Sequence, residues 1–340
     1  MTSSARVDAG ELASITGGSW ERPPVDSNWE FRGICFNPLR FREGQTALLR
    51  SPMFRYGVEA HELTNLMRAA GVIVPVGVSA PRGTFPLLRV PDVRDAVVRL
   101  ARALRSRCNA RVIAVTGTVG KTSTCHLLEH LLASEGRVST NGQKNYFDGI
   151  VAELTNLAAT DHLVVETSLQ ALDDGVSAVL EPDVALLTHV SPVHITSPAF
   201  DLGSLVERKA RVFEAMSGRG TAVINRDIPF FDHAAAIASR HCASIVTFGE
   251  DQHADYRLVD YRPEQRLVTA RIRGRHVEYE LGLLGRHMAT NSLGVLAACE
   301  AAGVAWERML AHCAGVLPVP GRGGVERLRI GGKHLVLIDD

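Results

Sequence analysis

Val112-Ile113-Ala114-Val115-Thr116-Gly117-Thr118-Val119-Gly120-Lys121-Thr122-Ser123 reads as an apolar strand, a glycine-punctuated loop and the opening of an amphipathic helix. Glycines in such a loop let backbone N–H groups curl around anionic oxygens, and the helix N-terminus adds positive potential. Lys121 can reach the β- and γ-phosphates of a nucleotide, and the Thr122 hydroxyl can ligate Mg²⁺. Gly117, Thr118, Gly120 and Ser123 complete the candidate cradle. The general pattern has a glycine where Val115 stands, so this loop is a compressed form of it.

Downstream, strand-like and helix-like segments alternate: strand at 112–116, helix at 121–133, strands at 163–166 and 184–188, helix at 203–216, strand at 222–225. That alternation predicts a parallel sheet covered by helices, with the strand ends presenting the chemistry. Between 255 and 281 the pattern becomes β-like and rich in Arg, Val and Tyr, which predicts an antiparallel hairpin before helices at 288–302 and 305–314. Upstream, 31–108 reads as a small mixed domain with helices at 59–70 and 93–105 and a strand at 72–76. Residues 1–30, with Gly17-Gly18 and Pro23-Pro24, read as partly extended. The expected fold class is α/β, a P-loop central domain with a mostly parallel sheet flanked by helices plus a small mixed α/β N-terminal domain. The expected boundaries are 1–108 for the substrate-binding domain, 109–318 for the nucleotide-binding domain, and 319–340 for a linker opening a missing C-terminal domain.

Composition narrows the partners. Lys+Arg and Asp+Glu both number 37 in 340 residues, so no excess charge recruits nucleic acid or an anionic membrane surface. Small molecules are the expected ligands. The six cysteines show no Cys-x-x-Cys pair or other metal-ligand spacing, which fits reduced thiols in cytoplasm rather than zinc or a disulfide framework. No basic-then-apolar leader is present and no run approaches the ~18 apolar residues that span a bilayer.

Several further motifs, in order, resemble the Mur ligase family. Leu163-Val164-Val165-Glu166-Thr167-Ser168 is similar to the strand whose final Glu ligates a catalytic Mg²⁺. Thr188-His189-Val190-Ser191-Pro192-Val193-His194 resembles the family's T-N-x-x-x-D-H segment, whose His is a metal ligand. Arg208-Lys209-Ala210-Arg211-Val212-Phe213 resembles A-K-x-x-x-F, whose Lys is typically carbamylated. Asn225-Arg226-Asp227 is similar to N-x-D, and Gly285 to Asn291 to the G-x-x-N-x-x-N stretch, with Met288 in place of its first Asn. Gly321-Arg322 and Ile338-Asp339-Asp340 resemble the Gly-Arg pair and the acidic pair that opens the family's third domain. Glu11 to Gly18 looks like the opening of the dipeptide-adding members.

The resemblance implies an ATP- and Mg²⁺-dependent ligase that phosphorylates a carboxylate and passes the acyl group to an amine. It gives catalytic roles to Lys121, Glu166, His194 and Lys209, with Thr122, Glu166, His194 and carbamylated Lys209 as metal ligands. Asn291 would contact adenine, Arg322 the γ-phosphate and Asp340 the ribose; Thr140, Asn145, Thr167 and Ser168 lie where the family holds its carboxylate substrate. The chemistry explains the grouping, because a carboxylate attacking a phosphate brings two anions together and cations must neutralise them. One signature departs: Asn37-Pro38-Leu39 stands where D-S-R would help hold a uridine nucleotide. Proline lacks a backbone donor and Leu cannot hydrogen-bond. Three readings stay open: a ligase of specialised metabolism, a UDP-muramoyl-peptide ligase of wall synthesis, and a nucleotide-binding subunit inactive in ligation alone. Either the sequence is part of a longer chain, or a separate subunit is the expected partner that supplies the third domain.

Overall fold

The computed structural model describes residues 7–339 apart from 53, 66–67, 80–81, 143, 158–159, 193–200, 323 and 331–332. His194 and Asp340 therefore lie outside the described residues. The chain forms two compact units, Met1–Ala110 with Lys144–Thr160 and Asp174–Leu180, and Arg111–Gln143 with Asp161–Asp173 and Glu181–Asp340.

The first unit holds a five-stranded sheet in the order β1-β5-β4-β3-β2, from β1 (Ser19–Arg22), β2 (Ile34–Cys35), β3 (Thr46–Leu48), β4 (Gly71–Pro75) and β5 (Leu87–Val90). Strands β2 to β5 pair in parallel and β1 runs antiparallel to β5. Val72, Val74, Leu87, Ala47 and Cys35 share one buried cluster. Helix Val93–Arg107 buries Val93, Ala96, Val97, Leu100 and Ala101, the helical spacing read from the sequence.

The partly extended reading of residues 1–30 holds for β1, but the segment before it is helical over Ala9–Thr16: Asp8 caps it by accepting from Glu11 N at 2.8 Å, and Gly17 ends it at φ 66°. The helix expected at 59–70 is, among the described residues, one 3-10 turn at Glu62–Asn65. There the Glu62 carboxylate accepts from Glu59 N at 2.8 Å, and Thr64 and Asn65 are weak helix formers.

The second unit is built on a nine-stranded sheet in the order β14-β13-β12-β11-β10-β9-β6-β8-β7. Its strands are β6 (Arg111–Thr116), β7 (Val138–Thr140), β8 (His162–Glu166), β9 (Val184–Leu187), β10 (Thr221–Asn225), β11 (Ser244–Gly249), β12 (Tyr256–Arg262), β13 (Leu267–Ile272) and β14 (Arg275–Glu280). β7 through β12 pair in parallel, as the alternating pattern predicts. The 255–281 region is a three-stranded antiparallel meander rather than one hairpin, because Arg273-Gly274 makes a second turn. The helix expected at 203–216 is α-helical over Leu202–Ala210 and tightens to 3-10 over Arg211–Met216. Helix Arg286–Ala301 is buried along most of its length against the sheet, so it shows almost no amphipathic signal. A two-stranded pair, β15 (Gly324–Ile330) with β16 (Lys333–Asp339), closes the described chain. Among the described residues no helix is long and apolar enough to cross a membrane.

Strand order places the chemistry. The chain leaves β6, crosses to the edge strand β7, returns through β8 beside β6 and continues to β9 on the other side. The C-terminal ends of β6, β8 and β9 thus meet at a switch point of the sheet, where open α/β folds bind ligands.

Candidate active site

The phosphate loop leaves β6 at Thr116 and enters the helix Lys121–Leu132 at Gly120, whose φ of 84° is the left-handed conformation that glycine adopts without strain. Main-chain bonds hold the loop against the end of β9: Thr118 N donates to His189 O at 2.7 Å, and Thr188 Oγ1 lies 3.1 Å from Thr116 O and 2.8 Å from Val119 O. No motif in the sequence gives Thr188 a role. Its hydroxyl occupies the space a side chain on Gly117 would need: a Cβ there would lie 1.9 Å from Thr188 Oγ1, at a φ of 153°. Gly117→Ala is accordingly expected to lower the melting temperature and abolish nucleotide binding, the strained backbone alone costing about 1–3 kcal/mol. Thermal melting and ATP titration of the purified variant check both.

Four of the expected residues come together around this loop. Lys121 Nζ lies 3.1 Å from Gly117 O and 3.3 Å from Thr118 O. Thr122 Oγ1 donates to Glu166 Oε2 at 2.8 Å, joining the first turn of the helix to the end of β8. Lys209, only 4% exposed, donates from Nζ to Gly117 O at 2.8 Å. Two lysines thus converge on one carbonyl. Burial, reinforced by the charges of Lys121 and Arg208 and opposed by Asp173, pushes the Lys209 ammonium down to about 7. Burial also lowers Lys121, against the pull of Glu166, with Arg322 adding a smaller repulsion. Arg322 is itself exposed, and its charge is felt at the loop.

Asp173 anchors the segment that carries Lys209: its carboxylate pairs with Arg208 Nε at 3.1 Å and a second Arg208 nitrogen, and with Arg211 at 3.3 Å. Asn291 is buried, and its Nδ2 lies 2.7 Å from the place a Cβ on Gly120 would take, so the loop glycine is what admits it. Ser123 is half-buried in the first helical turn.

The remaining expected residues are placed differently. Thr167 is fully buried and its hydroxyl donates to Val115 O at 3.1 Å, while Ser168 Oγ accepts from Ala171 N at 3.1 Å and caps the short helix Leu169–Asp173. Thr140 is half-buried at the end of the edge strand β7. Asn145 belongs to the first unit. Asn225 and Asp227 serve the main chain: Asn225 Oδ1 accepts from Asp227 N, and Asp227 accepts from Glu250 N at 2.7 Å and Asp251 N at 2.9 Å. In the first unit, Asn37 Oδ1 accepts from Leu39 N at 3.0 Å, capping the turn Pro38–Arg40, and Leu39 is 94% exposed.

The donor set suits a hard cation. Thr122 and Glu166 set two oxygens side by side at the mouth of the loop, and among the described residues no cluster of three His, Cys, Asp or Glu forms a fuller cage. Mg²⁺ is held in this manner in phosphoryl-transfer sites, by one or two protein oxygens with phosphates and waters completing the octahedron.

A phosphate loop at the switch point of a parallel sheet, flanked by a hydroxyl–carboxylate pair and two converging lysines, defines a nucleotide-dependent phosphoryl-transfer fold. The sequence description "Mur ligase middle domain" matches residues 115–299, more than half of the chain, and the chain belongs to that family of ATP-dependent, carbon–nitrogen bond-forming ligases. The UDP-N-acetylmuramoyl-tripeptide–D-alanyl-D-alanine ligase of Bacillus subtilis is 27% identical over 338 residues, covering 96% of this chain and 68% of that protein. Three further relatives are covered over 48% to 64% of their length. Among solved structures, MurF from Acinetobacter baumannii superposes with a TM-score of 0.79 at 20% identity, over all of this chain and 74% of that one. MurF from Thermotoga maritima in complex with ADP gives 0.70 at 20% identity, over 91% and 70%.

Proposed function

We propose that the chain activates a carboxylate with ATP and supports its transfer to an amine, the carboxylate being that of a UDP-N-acetylmuramoyl peptide. The observation that carries the proposal is the convergence of Lys121, Thr122, Glu166 and Lys209 on the phosphate loop. The relatives named above point to wall-precursor ligation and lend nothing to specialised metabolism.

In this reading the loop amides and Lys121 hold the β- and γ-phosphates, and Arg322 approaches the γ-phosphate. The substrate carboxylate attacks the γ-phosphorus, ADP leaves and an acyl phosphate forms; the amine then attacks the acyl carbon and inorganic phosphate departs. Lys121 offsets charge on the transferring group, worth most where water is excluded. Thr122 and Glu166 would hold Mg²⁺, which neutralises charge on the phosphates. Lys209 is poised for a different modification. A neutral amine can add CO₂, losing one proton to give a carbamate, and the N–H that remains can keep donating to Gly117 O. The carbamate would then face the loop as an anion where an ammonium stood, and would join His194 as a ligand. Asn291 would approach the adenine, Asp340 the ribose, and Thr140 and Asn145 the acyl substrate.

Asn37-Pro38-Leu39 favours a second reading, in which the carboxylate carries no uridine nucleotide: Asn37 is spent on its own turn and Leu39 presents methyl groups to solvent. UDP alone is expected to bind weakly, with recognition of a wall precursor resting on its muramoyl peptide. Calorimetry with UDP and with UDP-N-acetylmuramoyl tripeptide separates the cases. Micromolar UDP binding would show that the uridine contacts survive. Binding of neither compound, together with no acyl hydroxamate from the tripeptide, ATP and hydroxylamine, would transfer support to the nucleotide-free carboxylate.

A further inference from the structure

We infer that Asn141 is a positioning residue for the Glu166 carboxylate. The inference rests on the proposal that Glu166 holds the cation, and it adds a residue that no motif points to.

Strand β7 stops at Thr140, paired with Val164 of β8, so the backbone ladder ends two residues short of Glu166. The side chain of Asn141 takes over there. Its Oδ1 accepts from Glu166 N at 2.8 Å and its Nδ2 donates to Glu166 O at 2.8 Å. One side-chain amide thus satisfies both backbone groups of the residue whose carboxylate meets Thr122, as a neighbouring strand would. Asn141 is 4% exposed and Glu166 equally so; both bonds lie away from water, where an unmade one is costly. Asn carries its donor and its acceptor on two separate atoms at this reach, whereas Asp would set an anionic oxygen against Glu166 O and a leucine of the same volume offers neither.

The consequence is geometric. On its other flank β8 pairs with β6 through Val115, so Glu166 is gripped from both sides, by the sheet and by Asn141. Releasing one side lets the end of β8 shift, and the Glu166 Oε2 to Thr122 Oγ1 spacing with it. Groups behind a metal ligand typically contribute 10–100-fold to cation affinity.

The test uses the full chain and Mn²⁺ as a Mg²⁺ surrogate, titrated by electron paramagnetic resonance with a non-hydrolysable ATP analogue, in wild type, N141L, N141T and E166A. Hydrogen exchange at the Glu166 amide provides a readout independent of cation and activity. N141L is expected to weaken Mn²⁺ by about tenfold or more and to speed exchange at the Glu166 amide, while analogue binding without divalent cation stays within about twofold of wild type. N141T, whose single hydroxyl oxygen cannot stand where both Oδ1 and Nδ2 of Asn141 stand, should fall between and stands in should N141L not fold. Wild-type Mn²⁺ affinity in whichever of these variants folds, alongside a loss in E166A, overturns the inference while leaving the cation reading intact. Unchanged affinity in E166A removes Glu166 from the cation and the inference with it. Lower melting temperature with unchanged Mn²⁺ affinity marks Asn141 as merely structural, which also overturns it.

Discussion

Lys121→Ala is expected to lower ATP turnover by at least about 10²-fold with the fold intact, the scale found when one preorganised charge-stabilising donor is removed. The lysine stands in the first turn of the loop helix and lies within hydrogen-bonding distance of two loop carbonyls, Gly117 O and Thr118 O, neither of which is in the apolar core. Truncation leaves Gly117 O with Lys209 Nζ as its donor and removes no apolar packing from the core, so circular dichroism and melting should change little. A second effect follows from the convergence of the two lysines. The Lys121 charge is one of those that lower the Lys209 ammonium, so in Lys121→Ala the Lys209 amine should titrate higher than about 7. Phosphate release at saturating ATP measures the first effect, and reaction of the amine with CO₂ as a function of pH the second. Wild-type turnover in the variant would take the phosphate loop out of the mechanism.

Lys209→Ala carries the other large effect. If a carbamate on Lys209 completes the cation site, the variant should lose ligation by a similar factor, and a short-chain carboxylate should restore part of it where bicarbonate cannot. The reason is chemical: acetate or propionate can put an oxygen anion in the vacated space, whereas CO₂ has no amine left to add to. In wild type the amine is neutral above about 7, so CO₂ addition is favoured as pH rises through that value. The same shift has a stability signature in CO₂-free buffer. The folded-state value lies below the ordinary lysine value of 10.5, so between about 7 and 10.5 the unfolded chain holds the extra proton, and stability rises with pH across that window. Lys209→Met keeps the volume and removes the titrating group, and should flatten that rise. Wild-type ligation by Lys209→Ala would dismiss the carbamate, and an unchanged pH slope in Lys209→Met would show that the buried ammonium is not shifted.

The strand-loop-helix at 112–123, the parallel sheet and the helices Val93–Arg107, Lys121–Leu132, Leu202–Ala210, Arg286–Ala301 and Trp306–Cys313 were legible because each is a local pattern: apolar runs closed by glycine, or apolar residues returning at helical spacing. The first helix was equally legible in principle. Asp8 three residues before Glu11, with Gly17 beyond, is a start and stop signal that the neighbouring glycine and proline pairs obscured. The helix Phe147–Leu154 and the strands β7 and β11 are short or flanked by mixed residues and left weaker patterns.

The candidate site divides along the same line. The phosphate-loop pattern in the sequence named Lys121 and Thr122, and the resemblance of the ordered motifs to the Mur ligases named Glu166 and Lys209. The sequence could not say that Thr122 meets Glu166 from 44 positions away, that Lys209 reaches Gly117 from 92 positions away, or that burial would strip Lys209 of its proton near neutrality. Nor could it show Thr167 and Ser168 with their hydroxyls bound to the main chain, or Asn141 closing on Glu166, since an Asn after a strand looks the same whether it caps a turn or completes a sheet. Such contacts depend on which strand lies beside which and in what register, and burial depends on what the rest of the chain stacks above. Those are properties of the assembled nine-stranded sheet, and no window of sequence contains them.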